Sequence, residues 1–455
     1  MERTINLIGI GTDGDRSLTQ EAKQLIGEST VLIGAKRMLK STKKYQKENV
    51  LRYEKYRPEE VLHILETVPD GKISLLFSGD PGCYSGAEKM TEELCRAGWR
   101  VRICPGIASV IAMAARCQVP WERAAFVSLH GTDQNVIHAI STHEHTFILL
   151  GGMMTAEIFL EKMAWYGLDD LKAAAGRNLS YEDEVFYSGA VRDMTPEMLS
   201  GLTVLWVHHP EYDARVGRHL EDGELIRGSV PMTKSSVRAM AIAALRLQED
   251  SVVYDIGAGT GSVAVETAMQ GGGIRVYAIE RNPEGVRLVQ ENKRRWRTDN
   301  VTVVEGDAPE ALHDLPAPTH VFIGGSGGRL REMIDVCLSK SPNARIVVTA
   351  VSLETVQEMA GLLQEERWKE TDVIQIQTAC SRKLGDYHMM MGQNPVWMAV
   401  LQGGGEDSDL PQNGSDSDCR DRKRLRQDER SLRAPAGLSE KRAFPCRLQM
   451  RAGLH

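Results

Sequence analysis

The chain is poor in aromatic residues, which make up 5% of its 455 positions, and it carries no long apolar run. No stretch approaches the ~18 consecutive apolar residues that a membrane-spanning helix needs, so no membrane partner is expected. Positive charge is not in excess: 55 Lys and Arg stand against 62 Asp and Glu, giving a formal net charge of -7. A nucleic-acid-binding chain wants a basic face, so nucleic acid is not an expected partner. The one basic run, Lys293-Arg294-Arg295-Trp296-Arg297, stands alone and reads as a helix end. Paired cysteines are missing too. The eight cysteines (Cys83, Cys95, Cys104, Cys117, Cys337, Cys380, Cys419 and Cys446) form no C-x-x-C motif. Structural zinc is therefore not expected, and no metal site is assigned. Residues 1–8 run straight into a candidate strand without a signal-peptide layout. With unpaired cysteines, that gives a cytoplasmic, reduced chain as the expectation.

What the sequence does have is a glycine loop in a telling place. Ser251 to Ile256 is a short apolar run suited to a buried parallel strand, and Gly257-Ala258-Gly259-Thr260-Gly261 follows it. Glycines at alternate positions let backbone N–H groups approach a ligand with no Cβ in the way. Glu280 closes the next apolar run, about 20 residues on, where an acid can hold ribose hydroxyls. Nicotinamide and flavin sites favour G-x-G-x-x-G, whereas D-x-G-x-G-x-G is the pattern of class I S-adenosylmethionine methyltransferases.

At this length two or three domains are expected. Strand-like runs at 4–9, 31–34, 73–78, 100–104, 125–129, 146–150 and 202–207 alternate with helical stretches. That alternation predicts α/β layers with mainly parallel sheet. A polar stretch around 210–224 reads as a surface connection. A second α/β series follows at 251–256, 274–279, 301–304, 320–323, 345–349, 373–377 and 396–401. No long helix separates the last two runs, so they are expected to pair antiparallel at a sheet edge. The domain boundaries expected are 1–210, a linker at 211–225, a second domain at 226–402, and a polar tail at 403–455 expected to be disordered.

Four loops in the first half end candidate strands, where open α/β sheets gather ligands. They are Gly9 to Asp15, Ser78 to Tyr84, Cys104 to Ser109 and Ser128 to Gly131. With Asn178-Leu179-Ser180-Tyr181-Glu182-Asp183-Glu184, they resemble the tetrapyrrole methylase family from about residue 4 to 210. One departure is Thr12-Asp13-Gly14-Asp15, where many members carry G-P-G-D after the first glycines. The resemblance implies that Asp80, the backbone at Cys83, Ala108 and Ser109 face S-adenosylmethionine. Asp80 has a second reading as the cap of the helix after Pro81. His130 reads either as a general base or as a structural histidine.

The second half, from about residue 226 to 401, resembles the precorrin decarboxylating methyltransferases. The marks are Pro231-Met232-Thr233-Lys234 with Val237-Arg238, the glycine loop, Glu305 to Glu310, and Gly324-Gly325-Ser326-Gly327-Gly328. The resemblance implies a seven-stranded, Rossmann-like class I sheet after a tetrapyrrole methylase fold of two α/β subdomains. It assigns cofactor contacts to Gly257, Ala258, Gly259, Thr260, Gly261, Glu280, Asp307 and Ala308. Thr233 would cover the cofactor, or it or Ser235 would cap the helix that follows. Lys234, Arg238, Arg329, Arg382 and Lys383 are candidates to meet substrate carboxylates.

Two unrelated binding patterns imply two S-adenosylmethionine molecules per chain. The resemblance of the two modules, in this order, implies methylation of precorrin-6Y, or its cobalt form, at C5 and C15 with decarboxylation of a ring acetate. A tetrapyrrole is thus the expected small-molecule partner, and the chain is expected to form a homo-oligomer. No catalytic acid or base is assigned. Two other readings stay open at this point: a methyltransferase pair for another acceptor, and a non-catalytic S-adenosylmethionine-binding regulator.

Overall fold

A computed structural model describes residues 4–404, apart from 69–70, 131–133, 152–153 and 216. The expected tail lies outside the described residues from 405 onward, as does Gly131 of the fourth loop. Five strands build the first sheet: β1 (Thr4–Gly9), β2 (Val31–Ile33), β3 (Leu51–Tyr53), β4 (Ile73–Phe77) and β5 (Arg100–Cys104). Their order is β3-β2-β4-β1-β5, and every pair is parallel. Ile5 and Leu7 point to one face and Ile8 and Ile10 to the other, and both sets are buried under helices. Burial on both faces is why these strands read as continuous apolar runs.

The second sheet comprises β6 (Ala125–Ser128), β7 (His145–Leu149), β8 (Lys172–Arg177), β9 (Val185–Ala190) and β10 (Thr203–His208), in the order β6-β7-β10-β8-β9. Only β6 and β7 pair in parallel; the rest is antiparallel. The expectation of mainly parallel sheet holds for the chain as a whole, and this sheet is its local exception. The strands β8 and β9 that make the difference gave little signal. The first is rich in alanine, a weak strand former, and the second is largely exposed.

The third sheet contains β11 (Val252–Ile256), β12 (Arg275–Glu280), β13 (Val301–Glu305), β14 (His320–Ile323), β15 (Arg345–Ala350) and β16 (Trp368–Ile376). A hairpin of β17 (Ala379–Leu384) and β18 (Tyr387–Gly392) precedes its last strand, β19 (Val396–Gly403). The order is β13-β12-β11-β14-β15-β19-β16. The strand β19 runs antiparallel to both neighbours, as the missing crossover helix required. The chain is thus an α/β protein with a seven-stranded class I sheet in its second half. Strand order reverses between β11 and β14, the switch point that opens a crevice at the strand ends.

The polar stretch at 211–225 is not a free surface connection. Leu220 is fully buried and Leu225 nearly so, both packed with Val265 and Met269 of the second half. Its charged residues hid two apolar anchors from a reading by composition. The halves also touch directly. Asp299 accepts from Lys162 Nζ at 2.5 Å and from the Tyr166 hydroxyl at 2.9 Å, and Arg294 Nε donates to the Trp165 carbonyl at 2.7 Å. The described residues up to Gly404 therefore pack as one compact unit. Among the described residues no helix is long and apolar enough to cross a membrane.

Candidate functional site

In the first sheet β4, β1 and β5 are neighbours, so the loops that follow them meet. The amide of Gly11 donates to the Gly79 carbonyl at 3.1 Å, and that of Gly79 returns to Gly11 at 2.9 Å. Approach at Gly106 is closer still: a Cβ there would stand 2.2 Å from the Gly79 carbonyl oxygen. Asp80 ties the loops together. One carboxylate oxygen accepts from the Gly82 N–H at 2.7 Å and the other from the Gly106 N–H at 2.8 Å. The nearest helix downstream begins only at Ala87, so the capping role expected for Asp80 is replaced by a clamp between two loops.

These loops floor a cavity of about 260 Å³, lined by Asp80, Cys83, Ala108 and Ser109 together. Its other wall comes from the second sheet through Asn178, Leu179, Tyr181 and Thr203. Thr12 Oγ1 donates to Ser180 Oγ at 2.8 Å, bridging the two sides. His130 lines the same cavity. Burial, with Asp80 nearby, pushes the Cys83 thiol up from its ordinary range, so it stays protonated rather than nucleophilic. A second cavity, of about 360 Å³, shares Arg37, Ser78 and Tyr84 with the first and is walled largely by Ile33, Met38, Val61, Leu75, Phe77 and Met90. The contribution of Tyr84 was not legible in sequence. It holds a positive φ of 47° while its hydroxyl donates to the Phe126 carbonyl at 2.7 Å.

The glycine loop after β11 opens onto a cavity of about 310 Å³. Gly257, Gly259, Glu280, Asp307 and Ala308 line it, with Ile256, Ile279 and Met333 as apolar walls. Glu280 holds the loop in place: its carboxylate accepts from the Gly259 N–H at 2.7 Å and from the Asn282 N–H at 2.8 Å. Three residues expected to face the cofactor do not line this cavity. Ala258 packs into the core beneath the loop, Thr260 is fully buried, and Gly261 lies against Val289 of the helix Pro283–Arg295. Alternate residues of a tight turn point to opposite sides, which sends Ala258 and Thr260 inward, while Val289 closes over Gly261 and leaves Gly257 and Gly259 on the cavity. Asp307 is half exposed and lies 3.5 Å from Arg281.

Thr233 lies instead on an adjoining cavity of about 450 Å³, lined also by Met232, Lys234, Thr349, Ile376 and Gln393. Pro231 and Gly324 line both cavities. Neither Thr233 nor Ser235 caps the helix Ser235–Leu245, whose first amide is taken by Asp222 Oδ1 at 2.8 Å. The Gly324 to Gly328 loop packs its Gly325 backbone against Gly257 and so walls the first cavity. Within it Ser326 Oγ is buried and lacks a hydrogen-bond partner, a group the sequence did not single out. The substrate-facing role expected for Arg238 does not hold. The residue is fully buried and paired with Glu266 at 2.6 Å. Arg329 is bound to Glu310 and Glu332, Lys234 lies 3.7 Å from Asp222, and Arg382 and Lys383 stand exposed on β17.

Beneath the glycine loop, burial pushes Asp255 up to about 7, against one hydrogen bond from the Ala264 N–H that favours its anion. A raised carboxyl stabilises the fold fully below its unfolded value near 3.8, and the benefit is lost as pH climbs through about 7. The Asp255→Asn variant should therefore gain stability relative to the parent as pH rises from 4 to 7, then hold a constant lead. Melting temperatures across that range check the sign, and a lead that shrinks with pH would contradict it.

Two family models match the chain. The tetrapyrrole (corrin/porphyrin) methylases match residues 4–195, and the precorrin methyltransferase domain matches residues 225–402. A cobalt-precorrin-6B C(15)-methyltransferase (decarboxylating) of Salmonella typhimurium is 37% identical over 185 residues, which is 40% of this chain and 95% of that relative. A precorrin-6Y C(5,15)-methyltransferase [decarboxylating] of Sinorhizobium sp is 26% identical over 410 residues, 88% of this chain and 95% of that one. Among solved structures, a precorrin-6y C5,15-methyltransferase from Geobacter metallireducens GS-15 is 36% identical, covering 41% of this chain and all of that chain, with a TM-score of 0.39. With this second-half identity and both models matched in order, the chain belongs to the precorrin methyltransferases and joins a tetrapyrrole methylase module to them.

Proposed function

We propose that this chain is a bifunctional, S-adenosylmethionine-dependent enzyme of corrin-ring biosynthesis. It methylates precorrin-6Y, or its cobalt form, at C5 and C15 and decarboxylates a ring acetate. The carboxyl leaves as carbon dioxide, while the methylene carbon takes up a proton and stays on the ring as methyl. The observation that carries the reading is the pairing of cavities. In each half one cavity at the strand-end loops shares a wall with a neighbour, at Arg37, Ser78 and Tyr84 in the first half and at Pro231 and Gly324 in the second. A methyl donor and a flat acceptor need that adjacency.

The residues present fit the donor. A Cβ at Gly259 would fill the space beside the Pro231 carbonyl, Glu280 stands at the end of β12, and the free Ser326 hydroxyl faces the same cavity. When bound, S-adenosylmethionine supplies an electrophilic methyl group on a sulfonium. Under this reading Gly257 and Gly259 present backbone groups, Glu280 accepts ribose hydroxyls, and Asp307 with the Ala308 N–H meets the adenine. In the first half Asp80 orders the loops, and Cys83, Ala108 and Ser109 present backbone to a second donor, making two per chain.

The acceptor carbons are enamine-like nucleophiles. The protein's task is therefore placement and exclusion of water, and no strong base is called for. Decarboxylation leaves electrons that the conjugated macrocycle absorbs. The second half is proposed to act at C15 and to decarboxylate, since the precorrin methyltransferase domain matches it and the Salmonella relative bearing that name matches a stretch of similar length, 185 residues. The first half then acts at C5. Domains at 1–210 and 226–402 belong to the same reading. So does a homo-oligomer, supported by the apolar row Leu384, Tyr387, Met389 and Met391 exposed along the hairpin.

The test is incubation of the purified chain with precorrin-6Y and S-adenosylmethionine, followed by mass spectrometry. Gain of two methyl groups with loss of one carbon dioxide supports the reading. A product unchanged with both forms of the macrocycle, while cofactor still binds, would favour another acceptor.

A further inference from the structure

Arg238 heads the largest side chains with no exposed surface, and its guanidinium is shared among three stretches of the chain. Nε donates to Glu266 Oε2 at 2.6 Å, in the helix Ser262–Ala268. Nη1 donates to the Thr233 carbonyl at 2.7 Å and lies 3.4 Å from Asp222 Oδ1. Nη2 donates to the Leu220 carbonyl. Glu266 in turn lies 2.5 Å from His219 Nδ1 and accepts from the Leu220 N–H at 3.2 Å. One buried cation thus fastens the connection at 219–222 and the strap at 230–234 to the body of the second half.

The strap is the partition between two cavities. Val230 and Pro231 line the one at the glycine loop, and Pro231 to Lys234 line its neighbour. The Pro231 carbonyl oxygen stands 2.6 Å from where a Cβ on Gly259 would sit, so the strap lies directly on the glycine loop. Beside the Thr233 carbonyl held by Arg238, Lys234 lies 3.7 Å from Asp222 and Met232 packs against the cluster of Leu220 and Leu225.

We propose that Arg238 is a positioning residue for methyl transfer in the second half, holding the strap at 230–234 between donor and acceptor and making the connection at 219–222 part of that site. The proposal rests on the functional reading above. A buried ion pair that served stability alone would be replaceable by apolar residues of similar volume. A positioning role would not be, because no apolar side chain can hold the Thr233 and Leu220 carbonyls.

The experiment uses the full chain carrying Arg238→Met with Glu266→Met, beside Arg238→Lys and the unmodified protein. Melting temperature, calorimetric binding of S-adenosylmethionine, and kcat and KM at C5 and at C15 are measured. The double variant is expected to melt near the unmodified chain and to retain C5 methylation. Its kcat/KM at C15 should fall by about 100-fold, as expected for a misplacement on the order of 1 Å. Unchanged C15 kinetics in a stable double variant would overturn the proposal. If the double variant fails to fold, Arg238→Lys decides. It keeps the charge but cannot reach both carbonyls and Glu266 together, so full C15 activity in that variant overturns the proposal equally. If the unmodified chain transfers no methyl group at C15, the functional reading fails instead. The strap is then read from cofactor binding alone, which the variants should weaken in one of two sites.

Discussion

The parent is expected to bind two S-adenosylmethionine molecules per chain and the Gly259→Val variant one, and the variant should lose C15 methylation and decarboxylation by on the order of 100-fold or more. Two independent obstacles produce this. Gly259 holds a φ of +58°, which a β-branched residue adopts only with strain of about 1–3 kcal/mol. Its added Cβ would also press within 2.6 Å of the Pro231 carbonyl, so either the strap or the loop must move. Movement of the loop would break the 2.7 Å bond from the Gly259 N–H to Glu280, and with it the carboxylate's orientation toward the cavity. C5 methylation should continue, since none of these residues lines the first-half cavities. Calorimetric stoichiometry and product mass check the two parts separately. Retention of both cofactor sites would remove the glycine loop from the cofactor assignment.

The complementary result is expected from Asp80→Ala. Truncation strips the acceptors from two backbone amides, Gly82 N–H and Gly106 N–H, and unties the loops after β4 and β5. An unsatisfied, partly buried amide costs about 1–3 kcal/mol, so the fold should survive while the cavity floor loosens. C5 methylation is expected to drop by about 100-fold, with C15 methylation and decarboxylation unaffected. Asp80→Asn keeps one acceptor oxygen and should fall between. The measurement is a split of product masses: a species decarboxylated and methylated once marks the loss of C5 chemistry alone. Equal loss at both carbons would mean that Asp80 acts through overall stability, which a melting curve would reveal.

These two variants also mark what kind of information the sequence carries. The loop at Gly257 to Gly261 was legible because a class I site needs glycine where backbone meets ligand, and that need is written in residue type. Glu280 was legible for a similar reason, as an acid closing a strand. Which loop residues face the ligand was not legible, because alternation within a tight turn depends on dihedral angles. Thr260 and Ala258 accordingly went inward. Arg238 was the larger surprise. A cation in a motif next to a cavity reads as a substrate contact, and only its burial against Glu266, Thr233 and Leu220 shows that it works on the protein itself.

By itself the sequence determined the layered α/β plan, the two families, and the strand-end loops that line the cavities. Buried parallel strands and glycine turns impose residue types locally, and local demands leave a local trace. The tertiary structure alone decided the antiparallel second sheet, the packing of the connection at 211–225, and the pairing of adjoining cavities. Each of these depends on which distant segments lie side by side. Leu220 is one apolar residue among charges in sequence, and becomes an anchor only because Val265 and Met269 leave a place for it.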